Sequence, residues 1–146
     1  MKKIETSILI DATVEDVWRV LSEFEAYSLW SPTIKQFEWQ PVVGKRCKVL
    51  LEQPNGFKIK MNPKFLVIER NRELRWKGDL FIPGIFDGEH YFKLEQVAAG
   101  QIRFVQGELF SGLLVPFLGK LFIETRRGFD LFNTAIKTRV EGNLNF

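Results

Sequence analysis

His90 is the only histidine in the chain and Cys47 the only cysteine, so any proton transfer or nucleophilic chemistry must be built from few parts. Along 87–97, alternation puts His90, Phe92 and Leu94 on one face and Lys93 and Glu95 on the other. Along 101–110, Phe104, Gln106, Glu108 and Phe110 share a face. A turn centred on Ala99 joins these runs as antiparallel strands. It sets Gln96 opposite Ile102, Leu94 opposite Phe104, Phe92 opposite Gln106, and His90 opposite Glu108. Side chains directly opposed on one face of a sheet lie within reach of each other. An imidazole beside a carboxylate is favoured in its protonated form, and such a pair can serve as a general acid and base. In the competing reading, the two only satisfy each other as a buried polar pair or hold a water. A dyad alone identifies no reaction.

The other reactive residue types point elsewhere. Ser111-Gly112 has no nucleophile-elbow context, and a serine ahead of a long helix reads as an N-cap. Cys47 alternates with Val49 and Leu51 and reads as a small buried hydrophobe. A single cysteine excludes an internal disulfide framework and points to the cytosol. One histidine cannot supply a two-histidine metal site, so neither metal nor cofactor is expected. The net charge of +3 is small. Arg75 and Lys77 alternate with Leu74 and Trp76, as a solvated outer face does, and Lys58, Lys60, Lys64, Arg70 and Arg72 are scattered around them. No nucleic-acid partner is expected from that pattern, because the aromatics sit on the opposite side of the strand. No stretch approaches the roughly 18 apolar residues of a membrane helix, so stable membrane insertion is not expected. Met1-Lys2-Lys3 imitates the start of a signal peptide, but Glu5 and Asp11 interrupt what would be its apolar core.

The elements that must position the pair are legible from periodicity. Residues 3–11 alternate as a strand. Thr13 with Asp16 approximates a capping box for a helix carrying Val14, Val17, Trp18, Leu21 and Phe24, which ends near Phe24 or Glu25. A short helical turn over Ala26 to Trp30 stops at Ser31-Pro32. Six strands follow, at 34–39, 45–52, 57–70, 73–79, 87–97 and 101–110, separated by Gly44, Pro54-Asn55-Gly56, Asn71, Pro83-Gly84 and Gly100. Pro63 should bend or bulge the longest of them or place it at an edge. Leu114, Leu118, Leu121, Thr125, Phe129, Phe132, Ile136 and Val140 then step by threes and fours as one long helix, with Pro116 in its first turn and Gly142 as its stop.

This order gives one α+β domain over 1–146: a seven-stranded antiparallel sheet curled around a long C-terminal helix, with two short helices after the first strand. The concave side of such a sheet leaves a pocket, and 14 phenylalanines with 4 tryptophans supply its walls. The expected ligand contacts are Trp76, Leu80, Phe86, Phe92, Phe104, Gln106, Phe110, Phe117, Leu121 and Phe129. Strand reversal also gathers the connections 54–56, 79–87 and 111–117 at one end. There Leu80, Phe81, Ile82, Ile85, Phe86, Leu113, Leu114, Val115 and Phe117 form an apolar rim, a portal or a lid.

The segments "ILIDATVEDVWRVLSEFEAYSLWSP", "LRWKGDL", "FDGEHYFKLEQ" and "GELFSGLLVPFL…RRGFDLFNTAIKTRVE" resemble the SRPBCC (START/Bet v 1-like) superfamily, and more narrowly its polyketide cyclase/dehydrase-like proteins. The resemblance runs over almost the whole chain, with Val17-Trp18 and Trp30-Ser31-Pro32 at positions the family uses structurally. It implies a helix-grip fold with a deep apolar cavity for lipids, polyketides or aromatic molecules. It excludes the iron-binding oxygenase branch, which needs two histidines. The leading expectation is binding or carriage of a small hydrophobic molecule. One alternative is a cyclase/dehydratase-like enzyme using His90 and Glu108. Another is a co-chaperone-like interaction module using the apolar rim.

Overall fold

The computed structural model describes residues 1–80 and 82–143, with Leu80 and Asn143 described by backbone alone. Phe81 of the expected rim lies outside the described residues. Strand β1 (Lys2–Ile10) buries Ile4, Thr6 and Ile10 from alternate positions. Helix α1 (Val14–Ser22) opens on Thr13, whose hydroxyl accepts from the Asp16 amide at 3.2 Å. The Asp16 carboxylate completes no capping box and pairs with Arg19 at 2.9 Å instead. A 3-10 turn over Phe24–Ala26 leads into the single turn α2 (Tyr27–Trp30). Buried Ser31 then turns the chain into β2 (Ile34–Phe37) by accepting from the Ile34 amide at 3.0 Å.

The remaining strands are β3 (Val49–Glu52), β4 (Lys58–Met61), β5 (Lys64–Glu69), β6 (Glu73–Leu80), β7 (Phe86–Ala98) and β8 (Gln101–Ser111). They form an antiparallel sheet ordered β1-β8-β7-β6-β5 and a smaller one ordered β2-β3-β4. Helix α3 (Gly119–Asn143) packs across β1 and β8. This is the helix-grip α+β architecture, a curled antiparallel sheet holding the C-terminal helix.

Several boundaries fall short of the sequence reading, with α1 ending at Ser22, β2 at Phe37 and β3 starting only at Val49, and two differences change the architecture. The expected strand 57–70 breaks at Asn62-Pro63 into β4 and β5, so the described residues form eight strands in two hydrogen-bonded sheets rather than seven in one. Proline has no N–H for a ladder, and Pro63 sits at the corner between the sheets. The long helix does not begin at Leu114: Val115–Phe117, with Pro116 near its start, form a separate 3-10 turn. Leu118 leaves helical geometry (φ −114°, ψ 33°), and α3 then runs from Gly119 through Gly142, which does not end it.

Two apolar clusters hold these layers together. The larger joins α1, α2, β2 and the second half of α3 to the sheet through Leu21, Tyr27, Phe65, Phe92, Phe104 and Phe132. The smaller, of Ile4, Phe86, Phe110, Phe122 and Phe129, lies at the other end of the molecule.

The convex face is less bland than a solvated surface. The Arg75 guanidinium bonds Glu89 at 2.6 Å and Glu73 at 3.1 Å and lies 4.7 Å from the centre of the Tyr91 ring. Burial works against its charge, but the two carboxylates outweigh burial and hold its pKa up. The Tyr91 hydroxyl donates to Glu5. That bond is the main cause of a Glu5 pKa below the ordinary carboxylate value, against partial burial and with help from Lys3 and Lys93. A depressed carboxylate contributes stability above its unfolded pKa and loses it as pH falls through the folded one. Tyr91→Phe is therefore expected to be less stable than the parent at neutral pH. The gap should close as pH drops through the carboxylate range, as read from urea midpoints at several pH values. A gap independent of pH would mean that Glu5 draws nothing from Tyr91.

Candidate functional site

β7 and β8 pair in the register that alternation gives, with His90 directly opposite Glu108, Phe92 opposite Gln106 and Leu94 opposite Phe104. His90 is 7% exposed. Its Nδ1 stands 3.2 Å from Glu108 Oε1 and its Nε2 3.1 Å from Gln106 Oε1. The ring stacks on Trp76 at 4.9 Å and meets the edge of Phe129 at 5.1 Å. Trp76 is His90's partner across β6 and β7, and Phe129 comes from α3.

The hydrogen bonds fix the tautomer. Gln106 places its amide nitrogen 3.3 Å from the Phe129 carbonyl and 2.8 Å from Asn133 Oδ1, and Asn133 in turn donates to Thr6 Oγ1 at 2.8 Å. A backbone carbonyl only accepts, so the nitrogen of Gln106 must face it and its oxygen must face His90. His90 Nε2 therefore carries a hydrogen. Nδ1 is the ring nitrogen that faces Glu108 Oε1. The chain Thr6–Asn133–Gln106–His90–Glu108 thus runs from β1 through α3 to the concave face with its inner members satisfied.

Beyond this chain lies a cavity of about 110 Å³ between α3, the strands β6 to β8, and the small sheet. Two glycines shape its wall. Gly78 and Gly88 are cross-strand partners two pairs inside the end of the β6–β7 ladder that meets the 79–87 connection. A Cβ at Gly88 would run into Glu108 Oε2, and one at Gly78 would stand 2.6 Å from Met61 Cε. Glycine inside a strand often marks a place where a ligand or another group comes close. Ile34, Leu51, Ile59, Met61, Phe86, Phe110, Leu121 and Phe129 supply apolar walls, while His90, Gln106, Glu108, Thr33, Glu52, Gln53, Glu124 and Thr125 supply polar ones.

Of the residues expected from sequence, His90, Glu108, Phe86, Gln106, Phe110, Leu121 and Phe129 line this cavity. Trp76, Phe92 and Phe104 do not: they lie on the correct face but deeper along their strands, inside the larger core at 3%, 0% and 0% exposure. Phe117 is corrected more strongly, since its 3-10 turn leaves it 79% exposed. The side chain of Leu80 lies outside the described residues. Ser111 closes β8 and caps no helix. The apolar rim divides in two: Phe86 is buried in the smaller cluster with Leu114 and Val115 packed against it, and Ile82, Leu113 and Phe117 face outward. The turns bearing these three are bonded, Leu113 N to Gly84 O at 3.1 Å and Leu114 N to Ile85 O at 3.0 Å. The sequence reading missed the wall from β2 to β4 and the paired glycines. Two glycines inside runs otherwise patterned as strands were the available signal.

Among the described residues there is no cluster of His, Cys, Asp and Glu able to hold a metal, and no helix is long and apolar enough to cross a membrane. A search of curated proteins finds none that matches the chain. Solved structures give the fold. An aromatase/cyclase, ZhuI from Streptomyces sp. R1128, superposes with a TM-score of 0.80 at 12% identity, over 99% of this chain and 96% of that one. A norcoclaurine synthase from Thalictrum flavum, solved as a point mutant with a transition-state analogue, gives 0.76 at 14% identity, over 99% and 96%. A START superfamily protein from Mycobacterium smegmatis gives 0.72 at 19%, over 97% and 98%. The family model described as polyketide cyclase / dehydrase and lipid transport matches residues 1–141, and the chain therefore belongs to that family within the START-like SRPBCC superfamily.

Proposed function

We propose that the protein binds a small, largely apolar molecule in the cavity between α3 and the sheet, with the molecule's polar group directed at Glu108 and His90. The observation that carries this reading is the cavity wall at the Gly78–Gly88 pair, where the absence of two side chains lets Glu108 and Met61 lie against the sheet and line the cavity. The family description names lipid transport, and two of the structural relatives are named as an aromatase/cyclase and a norcoclaurine synthase. An apolar cavity of about 150 Å³ holds benzene, so about 110 Å³ limits the ligand's buried part to no more than a single ring. A longer ligand requires Met61, Glu108 or the rim turns to move. A cytosolic setting is part of the proposal and rests on Cys47, a buried free thiol.

Gly88→Val tests it by filling the space from the sheet side, where the first obstacle is the movable end of Glu108. Toluene binding followed by protein NMR should weaken at least about tenfold in the variant, equivalent to about 1.4 kcal/mol. Native mass spectrometry of the parent protein should show a retained apolar ligand. Equal toluene binding in parent and variant would place the ligand elsewhere.

A second reading has its own support. His90 Nε2 is committed to Gln106, which leaves Nδ1 and Glu108 as the facing pair, and both residues line the cavity. That arrangement suits acid–base chemistry on a bound ketide-like substrate, as in a cyclase or dehydratase. With a supplied ketide, His90→Gln should then lower turnover by about 100-fold or more while the fold survives. Unchanged turnover would leave binding as the whole activity.

A further inference from the structure

We infer that the cavity selects an apolar molecule carrying an uncharged or cationic hydrogen-bond donor, an alcohol or amine head, and rejects carboxylates of the same shape. The inference rests on the binding reading above and adds the charge of the ligand to it. Three carboxylates line the cavity, Glu52 from β3, Glu108 from β8 and Glu124 from α3, and among the described residues no lysine or arginine does. The cations that meet these carboxylates stand on the solvent side. Lys58 reaches Glu52 at 3.9 Å and Arg127 reaches Glu124 at 2.6 Å, with side chains 67% and 62% exposed. Exposed cations are screened by water and salt far more than groups inside the cavity are. Glu108 spends Oε1 on His90. Glu124 spends Oε1 on Arg127, but its Oε2 is buried and takes no hydrogen bond from any described residue.

A buried carboxylate oxygen without a donor is costly, and Glu124 lines the cavity, so a ligand hydroxyl or ammonium towards which this carboxylate turns gives it a bond it lacks. A ligand carboxylate would instead bring its own negative charge towards the carboxylates of Glu52 and Glu124, where like charges repel at close range. Two donors of the sheet are already committed, His90 Nε2 to Gln106 and the Gln106 amide to Phe129 and Asn133, so among the described side chains a carboxylate would have to turn to the Thr33 hydroxyl or the Gln53 amide. The polar wall therefore discriminates by charge, while the apolar wall discriminates by size.

Four probes of one ring each separate the possibilities: toluene, benzyl alcohol, benzylamine and benzoate, titrated near pH 7 and followed by protein NMR. Benzyl alcohol and benzylamine should bind more tightly than toluene, and benzoate at least about tenfold more weakly than benzyl alcohol. Glu124→Gln should narrow the gap between benzoate and benzyl alcohol. Toluene binding together with equal binding of benzoate and benzyl alcohol would overturn the charge selection and leave the cavity reading standing. An unchanged ratio in Glu124→Gln would overturn the inference too. Failure of all four probes to bind would remove the cavity reading itself.

Discussion

Phe132→Ala is expected to lower the stability of the protein by about 3–5 kcal/mol, the range for removing a fully buried phenylalanine side chain. Phe132 is 0% exposed in the middle of α3. Its ring lies 5.2 Å from that of Trp30, 5.3 Å from Phe92, 6.1 Å from Tyr27 and 6.2 Å from Phe104. One side chain thus ties the helix to α2 and to two strands, and its neighbours are rings too rigid to close a large gap. A domain stable by only about 5–15 kcal/mol would lose a large share of its margin. Urea denaturation with an unchanged m-value is the measurement. Phe117→Ala is the contrast, because that ring is 79% exposed and its loss should stay within about 0.5 kcal/mol. A loss below about 1 kcal/mol for Phe132→Ala would mean that the helix is not gripped as the contacts indicate.

The contrast between these two phenylalanines marks where sequence reasoning carries and where it stops. Period and turn chemistry set the face a side chain takes. That sufficed for the β7–β8 register, because a turn at Gly100 and two alternating strands leave one pairing that buries both apolar sets. His90 opposite Glu108 followed directly. Alternation says nothing of depth along a strand, so Trp76, Phe92 and Phe104 were read as cavity walls although they pack under Phe65 and Phe132. Nor does it separate a helix from an apolar turn leading into one. Leu114, Leu118 and Phe117 fit either, and Pro116 with the geometry of Leu118 decides for the turn. The cavity itself was least legible, since it is defined by missing side chains at Gly78 and Gly88 and by a second sheet whose existence depends on the break at Pro63. Asn133 was passed over for a related reason: it lies on the buried face of α3, four residues after Phe129, but is not apolar.

Gln106 and Asn133 supply the other large effect, and there two physical arguments give opposite signs. Gln106→Leu keeps the side chain close to its native size and replaces an amide with apolar surface at a site 1% exposed. Area accounting alone makes the change stabilising, at about 25 cal/mol per Å² of apolar surface. The hydrogen bonds oppose it. Leucine leaves His90 Nε2–H without its acceptor and Asn133 Oδ1 without its donor, both inside the protein. Each stranded polar group costs about 1–3 kcal/mol, more than one swapped side chain returns, so a net loss of about 2–4 kcal/mol is expected. The double variant Gln106→Leu, Asn133→Leu tests the cause. It removes one stranded partner, although Thr6 loses a donor in exchange, so it should cost less than the two single changes added together. In Gln106→Leu the His90 ring should also lose its fixed tautomer, visible in the nitrogen shifts of its imidazole. A stabilised or neutral Gln106→Leu would show that burial outweighs hydrogen bonding here and that His90 does not depend on Gln106 for its orientation.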